Sequence, residues 1–207
     1  MLFKWIKRSF IGQTRFKWDK QYVRGNWECL KSPLEQMRFD AVRNYIKKYS
    51  NKGNILEVGC GEGILQAGMS KHSYRKFLGI DISEIAIQRA AHLADTTTEY
   101  RTANMENFSP AEKFDIIIFN EVLYYARNPN QLMARYMEFL NPEGFIIVSI
   151  FQTSSNIKVM NGVEAKFKSI DEMVSSNEIG SWCCRVYSKN NLPTLITLLL
   201  YCRYALT

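Results

Sequence analysis

The chain has 207 residues, 46% hydrophobic and 23% charged, which excludes general disorder and predicts one globular domain with a full apolar core. The net charge of +7 lies at one end, because residues 1–50 contain 12 Lys and Arg against 4 Asp and Glu, and residues 51–207 contain 15 against 16. The five cysteines lack the spacing of metal ligands and there are only two histidines, so neither a disulfide framework nor a metal site is predicted. The sequence contains no apolar run of about 18 residues, so no membrane-spanning helix is predicted. A reducing, cytoplasmic location fits this composition.

Residues 1–50 are predicted to form a basic helical cap, and residues 51–207 the core of the same domain. On a helical wheel the apolar residues of the first ten positions fall on one side and Lys4, Lys7 and Arg8 on the other. The segment 1–18 therefore suits two arrangements: peripheral contact with an anionic membrane, or packing on the domain.

Short apolar runs alternate with helix-like segments between residues 51 and 150, which predicts βαβ units and a parallel sheet. The predicted strands are 54–58, 77–82, 98–103, 114–119 and 145–150. Two helices are predicted between them, at 83–93 with Ser83 as N-cap and at 131–140, the second stopped by residues 141–144.

The pattern fails over residues 151–170, which predicts a long connection that covers a site. Residues 171–179 and 182–188 are predicted to pair as a terminal hairpin around Gly180. The final stretch, 191–206, has Asn191 and Pro193 at good helix-start positions. Its apolar run, 195–200, suits packing on the sheet, on the second subunit of a homodimer, or on lipid.

A glycine-rich turn from Glu57 to Gly63 follows the first predicted strand, and its alternate glycines let the backbone approach a ligand closely. Asp81 ends the second strand 18 residues later, where a carboxylate can accept hydrogen bonds from both hydroxyls of a ribose. The dinucleotide-binding motif G-x-G-x-x-G, counted from Gly59, needs a third glycine at position 64, where this sequence has Ile64. The acidic side chain of Glu57 suits a ligand with positive charge. These residues favour S-adenosylmethionine over NAD.

With this motif the sequence resembles the class I, Rossmann-like methyltransferases that use S-adenosylmethionine, over about residues 55–150. The resemblance implies an α/β fold, in which a mostly parallel seven-stranded sheet has helices on both faces and ends in an antiparallel hairpin. It implies S-adenosylmethionine as cofactor and S-adenosylhomocysteine as product. From its place in the glycine turn, Glu57 is predicted to bind the cofactor, the alternative being a cap of a neighbouring loop.

The resemblance also assigns roles around the cofactor. It implies that Gly59, Cys60 and Gly61 line the methionine part, that Asp81 binds the ribose and that Ile82 packs on the adenine.

Two later segments complete the cofactor site that the resemblance implies. Asn104 and Met105 match the segment that binds the adenine amino group. Asn104 departs from the usual Asp there, although an amide oxygen can also accept that hydrogen bond. Asn120, at the end of the fourth strand, falls beside the transferable methyl group.

Glu121, Tyr124 and Tyr125 follow Asn120 and are the candidate catalytic residues. Both histidines are badly placed for a base, because His72 precedes the second strand and His92 lies on the following helix. Glu121 is alternatively a structural carboxylate at a helix N-terminus, and one of the two tyrosines alternatively packs under a lid.

A narrower resemblance rests on residues 22–27 (YVRGNW), 119–125 (FNEVLYY) and 180–182 (GSW). It is to small bacterial methyltransferases of the nodulation-factor N-methyltransferase and polysaccharide-biosynthesis type. This implies a sugar or sugar-linked small molecule as acceptor, methylated on O or N, with Tyr22 and Trp27 either closing over the site or packing as core of the cap.

Two alternatives stay open. A nucleic-acid acceptor could use the N-terminal cations, but residues 120–123 read NEVL rather than the Asn/Asp-Pro-Pro-Tyr/Phe pattern of methyltransferases that act on base nitrogens. A non-catalytic module that binds the cofactor or a partner protein is the third class, against which the intact glycines and Asp81 argue.

Overall fold

The structure is a computed structural model that describes residues 14–50 and 52–189. Seven strands form one sheet in the order β3-β2-β1-β4-β5-β7-β6. Strands β1 to β5 run parallel, and β7 is antiparallel to both β5 and β6. The strands are β1 Asn54–Val58, β2 Lys76–Asp81, β3 Thr98–Thr102, β4 Phe114–Asn120, β5 Leu140–Phe151, β6 Ser169–Asn177 and β7 Gly180–Ser188. This topology confirms the predicted fold class.

Helices cover both faces of the sheet. They are α1 Arg15–Val23, α2 Pro33–Tyr49, α3 Ile64–Ala67, α4 Glu84–Ala90, α5 Pro129–Met137 and α6 Ser154–Lys166, with short 3-10 helices at Glu28–Lys31, Ala91–Leu93 and Leu123–Tyr125. No helix in the described ranges is long and apolar enough to cross a membrane. The predicted amphipathic stretch up to residue 13 and the predicted C-terminal helix at 191–206 lie outside the described residues.

Two apolar clusters hold these layers together. On one face, side chains of α5 and α6 such as Met133, Tyr136 and Val163 are buried against the sheet, and on the other face α2 buries Val42 and Ile46. The central strands are therefore buried on both faces, which explains the apolar run from Ile116 to Phe119 in β4.

Helix α2 is also fixed to the edge of the sheet by polar contacts. Tyr45, Lys48 and Tyr49 all donate hydrogen bonds to the carboxylate of Asp171 on β6, at 3.1, 2.7 and 2.8 Å. The part of the predicted cap that lies over the strand ends is α1 together with Glu28–Lys31. The division of the chain at residue 50 stays a prediction.

The second predicted helix and the strand after it have different bounds. Helix α5 begins at Pro129, because the Asn128 side chain caps it by accepting a hydrogen bond from the Gln131 amide at 3.1 Å. Strand β5 begins at Leu140, which pairs with Phe114, so residues 141–144 lie within a strand rather than in the predicted stop. The register shifts between this pair and the next, Ile116 with Phe145, so that β5 contains three extra residues there.

The prediction of a long connection over residues 151–170 is wrong, because that range contains α6. The Thr153 side chain caps the helix by accepting a hydrogen bond from the Asn156 amide at 3.2 Å. Met160 and Val163, one turn apart, bury its inner side, while Ile157 and the lysines face solvent. A helix with so narrow an apolar side gives a weak periodic signal.

Strand order places the ligand crevice. Strand β1 lies between β2 and β4, so the chain leaves β1 in one direction across the sheet and later returns to its other side. Crevices in open α/β sheets form at the carboxyl ends of strands at such a reversal. Here that edge carries the residues that follow Val58, Asp81 and Asn120.

Candidate active site

A cavity lies at the carboxyl ends of β1, β2 and β4, beneath α1 and Glu28–Lys31. All the site residues named from the sequence line it, although their individual roles stay predictions: Tyr22, Trp27, Glu57, Gly59, Cys60, Gly61, Asp81, Ile82, Asn104, Met105, Asn120, Glu121, Tyr124 and Tyr125. Further lining residues that the sequence did not single out include Trp18, Arg38 and Arg127. The histidines are exposed and do not line this cavity.

The glycine turn forms the floor of the cavity. Gly59 and Gly61 have φ angles of 71° and 55°, which disfavour residues with a side chain. A Cβ on Gly59 would lie 2.5 Å from a methyl of Val122, and one on Gly61 would lie 2.8 Å from the Tyr22 hydroxyl. Glycine therefore lets the turn pack closely against Val122, after β4, and against Tyr22 of the cap.

Asp81 lies beside this turn, at the end of β2. Its carboxylate accepts hydrogen bonds from the amides of Gly61, at 3.0 Å, and Ser83, at 2.8 Å. Burial raises the pKa of Asp81 to about 6, against the opposing effect of these amide donors. The carboxyl group is thus held rigidly at the cavity wall and is mostly ionised at pH 7.

A buried charge cluster lies behind the cavity, centred on Arg38 of α2. Arg38 and Glu35 are each 2% exposed and form an ion pair at 2.7 Å. The guanidinium also donates to the Asn120 side chain at 2.9 Å. Burial raises the pKa values of Glu57 and Glu121, and the charge of Arg38 partly opposes this. In the sequence, the only sign of this role for Arg38 is that it and Glu35 stand three residues apart on the otherwise apolar side of α2.

Two polar atoms at the cavity have no hydrogen-bond partner among the described residues. One is Oε2 of Glu57, whose side chain is buried, and the other is the indole Nε1 of Trp27. Burial raises the pKa of Glu57 well above its ordinary value, and the Arg38 charge partly opposes this. One hydrogen-bond acceptor and one hydrogen-bond donor are thus buried at the same cavity without partners. Leaving them so costs folding free energy, unless a ligand supplies the missing hydrogen bonds.

Glu121 bridges the ends of β4 and β5. Its carboxylate accepts hydrogen bonds from the Phe151 amide at 2.9 Å, the Tyr124 hydroxyl at 3.1 Å and the Ser149 hydroxyl at 3.3 Å. Its φ angle of 58° is unusual for a residue with a side chain. Burial raises the pKa of Glu121 to about 7, although Arg38 lowers it.

A group of aromatic rings from the cap and from the residues after β4 lines the cavity. Tyr124 and Tyr125 have ring centroids 4.6 Å apart, and Trp18 meets Tyr125 edge-on at 4.9 Å. Trp18 stacks on Trp27 at 5.9 Å, and Trp27 lies 6.1 Å from Tyr22. Trp18, which the sequence analysis did not name, therefore joins the cap to the residues after β4. Its signal is the four-residue spacing from Tyr22 on one helix.

The segment after β3 forms a further wall, with Asn104 and Met105 lining the cavity. The Asn104 side-chain oxygen accepts a hydrogen bond from the Glu106 amide at 2.9 Å. One lone pair of that oxygen remains available to a ligand.

Polar contacts fasten the cap over the cavity. Asp19 of α1 accepts hydrogen bonds from the Ser83 hydroxyl at 2.7 Å and the Ile85 amide at 3.3 Å. Glu62, in the glycine turn, forms ion pairs of 2.6 Å with both Lys31 of the cap and Arg89 of α4. The cap is therefore anchored to both the turn and the helix that follows Asp81.

A family model described as "Methyltransferase domain" matches residues 34–194. In sequence, the chain is 26% identical over 168 residues to the ubiquinone biosynthesis O-methyltransferase of Actinobacillus pleuropneumoniae serotype 7 (strain AP76), covering 72% of this chain and 71% of that protein.

Two solved structures illustrate the similarity of fold. The N-methyltransferase NodS from Bradyrhizobium japonicum WM9, in complex with S-adenosylhomocysteine, superposes with a TM-score of 0.72 at 17% identity, covering 85% of this chain and 98% of that one. The 1,6-didemethyltoxoflavin-N1-methyltransferase of Burkholderia thailandensis superposes with a TM-score of 0.68 at 13% identity, covering 84% and 86%.

Proposed function

Because this chain belongs to the methyltransferase domain family and is an S-adenosylmethionine-dependent methyltransferase of the class I fold, we propose that it methylates an oxygen or nitrogen of a small molecule, a sugar or glycan intermediate. The observation that carries this proposal is the covered cavity, which Asp81, the glycine turn, Glu121 and the aromatic rings all line.

The unsatisfied atoms at the cavity fit the cofactor. S-adenosylmethionine carries an ammonium group, a carboxylate and a ribose. The buried Glu57 oxygen suits the ammonium, the Trp27 indole N–H suits the carboxylate, and the Asp81 carboxylate suits the ribose hydroxyls. Gly59 and Gly61, with positive φ angles and no side chain, bring the backbone of the turn to the cavity wall. The residues present thus match both the charge and the hydrogen-bonding groups of the cofactor.

When bound, the cofactor supplies an electrophilic methyl group on a sulfonium, which transfers by in-line displacement. The protein then has two tasks, to orient the acceptor atom toward that methyl and to exclude water. Trp18 and Tyr125 meet edge-on at 4.9 Å and both line the cavity, and so form one aromatic wall on which a ring of the acceptor can pack. The apolar face of a sugar ring packs well on such aromatic side chains.

Glu121 is the candidate proton acceptor for a hydroxyl group of the acceptor. A pKa of about 7 suits general base catalysis at neutral pH, because the group is then partly ionised and still basic. Tyr124 donates a hydrogen bond to this carboxylate and thereby positions it. A neutral amine acceptor needs orientation and desolvation but no base, so Glu121 matters more for O-methylation than for N-methylation.

A phenolic ring is the second candidate acceptor. The similarity in sequence to ubiquinone biosynthesis O-methyltransferases and the aromatic walls of the cavity both favour it. A phenol loses its proton more easily than a sugar hydroxyl, so dependence on Glu121 separates the two classes.

The test is release of S-adenosylhomocysteine by the purified full chain, offered aminosugars, sugar nucleotides, catechols and RNA in parallel, with Asp81→Ala as the inactive control. We expect turnover with a sugar or aminosugar. Turnover with catechols alone would establish the second candidate, and turnover with RNA alone would refute both. Calorimetry that shows no binding of S-adenosylmethionine to the wild type would refute the assignment of this cavity to the cofactor.

A further inference from the structure

Helix α1 presents two different faces. Trp18 and Tyr22 lie on its inner face and line the cavity. Phe16 and Val23, two helical turns apart, lie on the outer face and are 73% and 66% exposed. No other large hydrophobic residue in residues 14–50 and 52–189 is as exposed as these two. Folding of the described domain leaves this apolar pair in solvent.

Cations surround the exposed pair. Lys20 lies between Phe16 and Val23 on the same face, and Lys17 and Arg24 flank it. All three are exposed, and within the part of the chain that the structure describes none of them forms an ion pair. Asp19, the acidic residue of the helix, is turned toward Ser83 instead. The outer face of α1 is thus positively charged and apolar at once.

We propose that this outer face, formed by Phe16, Lys17, Lys20, Val23 and Arg24, docks the enzyme onto an anionic lipid surface. Cations bind lipid headgroups electrostatically, and apolar side chains between them enter the boundary of the acyl chains. The sequence directly before α1, which lies outside the described residues, contains Lys4, Lys7 and Arg8 and no acidic residue. The sequence before α1 therefore adds to the positive charge of this part of the chain.

The two other occupants of such a face fit less well. Nucleic acid would use the cations but leaves Phe16 and Val23 in water, since phosphates offer no apolar contact. A second copy of the chain would bring the same cations against each other across a symmetric interface. An anionic lipid surface satisfies both the charge and the exposed apolar area.

Docking through α1 has a consequence for the reaction. The inner face of the same helix covers the cavity, so the active site lies directly behind the membrane-bound helix. Such an arrangement suits an acceptor that is itself attached to lipid or partitions into the membrane. The docking proposal does not depend on which acceptor is methylated.

The experiment is co-sedimentation of the full chain with vesicles of phosphatidylglycerol and phosphatidylcholine, compared with vesicles of phosphatidylcholine alone. We expect binding to the anionic vesicles that weakens with added salt. Phe16→Ser/Val23→Ser should reduce that binding at least tenfold, and Lys17→Gln/Lys20→Gln/Arg24→Gln should do the same.

Matched controls come from other exposed residues. Met173→Ser/Val174→Ser on β6 removes an exposed apolar pair, and Lys158→Gln/Lys166→Gln/Lys168→Gln removes three exposed cations near α6. Both should bind vesicles like the wild type, and all variants should bind S-adenosylmethionine within about twofold of it, which shows that they fold.

Three results would overturn the proposal. They are equal binding to neutral and anionic vesicles, wild-type binding by the Phe16→Ser/Val23→Ser variant, and no vesicle binding by the wild type. Dimerisation or RNA binding that depends on this face, without vesicle binding, would assign it to one of the other occupants.

Discussion

Replacing Asp81 by asparagine removes the charge of its carboxyl group and keeps its shape. In the folded protein this carboxylate accepts amide hydrogen bonds at 3.0 and 2.8 Å and faces the cavity. In the Asp81→Asn variant the side-chain NH₂ must point either at one of those amides or at the ligand, where an acceptor is needed.

The size of the effect follows from the hydrogen bonds that are lost. Each hydrogen bond to a charged group contributes about 1.5–3 kcal/mol, and two ribose hydroxyls can bind one carboxylate. Asp81→Ala should therefore weaken binding of S-adenosylmethionine by about 100-fold or more. Asp81→Asn, which keeps one acceptor oxygen, should weaken it by about tenfold or more.

The pH dependence provides an independent test. With a pKa of about 6 for Asp81, the ionised form dominates at pH 7 and falls to about one tenth of the molecules at pH 5. Because the ionised form binds the hydroxyls, wild-type affinity should fall about tenfold between pH 7 and pH 5. In the Asp81→Asn variant, the affinity for S-adenosylmethionine should show no inflection near pH 6 when it is plotted against pH.

Isothermal titration calorimetry from pH 5 to 8 measures both effects, with Glu178→Gln in the exposed β6–β7 turn as the control. The assignment of Asp81 to the ribose is refuted if Asp81→Asn binds as tightly as the wild type. It is also refuted if the cofactor affinity of the variant keeps the wild-type inflection near pH 6.

Glu121→Gln should lower kcat at least tenfold with little change in cofactor affinity, and should remove the fall in rate below about pH 7 that the raised pKa of Glu121 predicts; unchanged turnover would make Glu121 structural. Gly61→Ala should weaken cofactor binding at least tenfold in calorimetry, because its Cβ meets the Tyr22 hydroxyl at 2.8 Å and its φ angle is 55°. As a control, Gly162→Ala inside α6, where the added Cβ would lie 3.9 Å from Asn130 Nδ2 of α5, should leave cofactor binding unchanged and raise stability in thermal unfolding by up to about 1 kcal/mol. Trp18→Ala should raise the KM for the acceptor about tenfold, because it removes an aromatic ring from the cavity wall. Trp18→Phe, which keeps a ring, should have a KM close to that of the wild type. A wild-type KM in both variants would contradict this role of Trp18.

Much of the fold could be read from residues that act locally. Strand β1 has the predicted bounds, and the Ser83 side chain caps α4 as predicted, accepting a hydrogen bond from the Ala86 amide at 3.2 Å. Helix α6 could not be read, because only a narrow side of it is buried and Ile157 lies on its exposed side, which weakens the periodic pattern. The early start of β5 depends on the pairing of Leu140 with Phe114, which no local pattern encodes.

The sequence by itself determined that Gly59, Gly61 and Asp81 lie together at the carboxyl ends of β1 and β2. Gly59, Gly61 and Asp81 belong to a turn and a strand end whose geometry depends on backbone conformation and short-range spacing, and such features appear directly in the order of residues. Tertiary structure alone decided the rest. Arg38 reaches Asn120 across 82 positions in sequence, and Trp18 meets Tyr125 only because the cap folds back over the strand ends. Burial and long-range packing fix those contacts, and neither leaves a periodic signal in the chain.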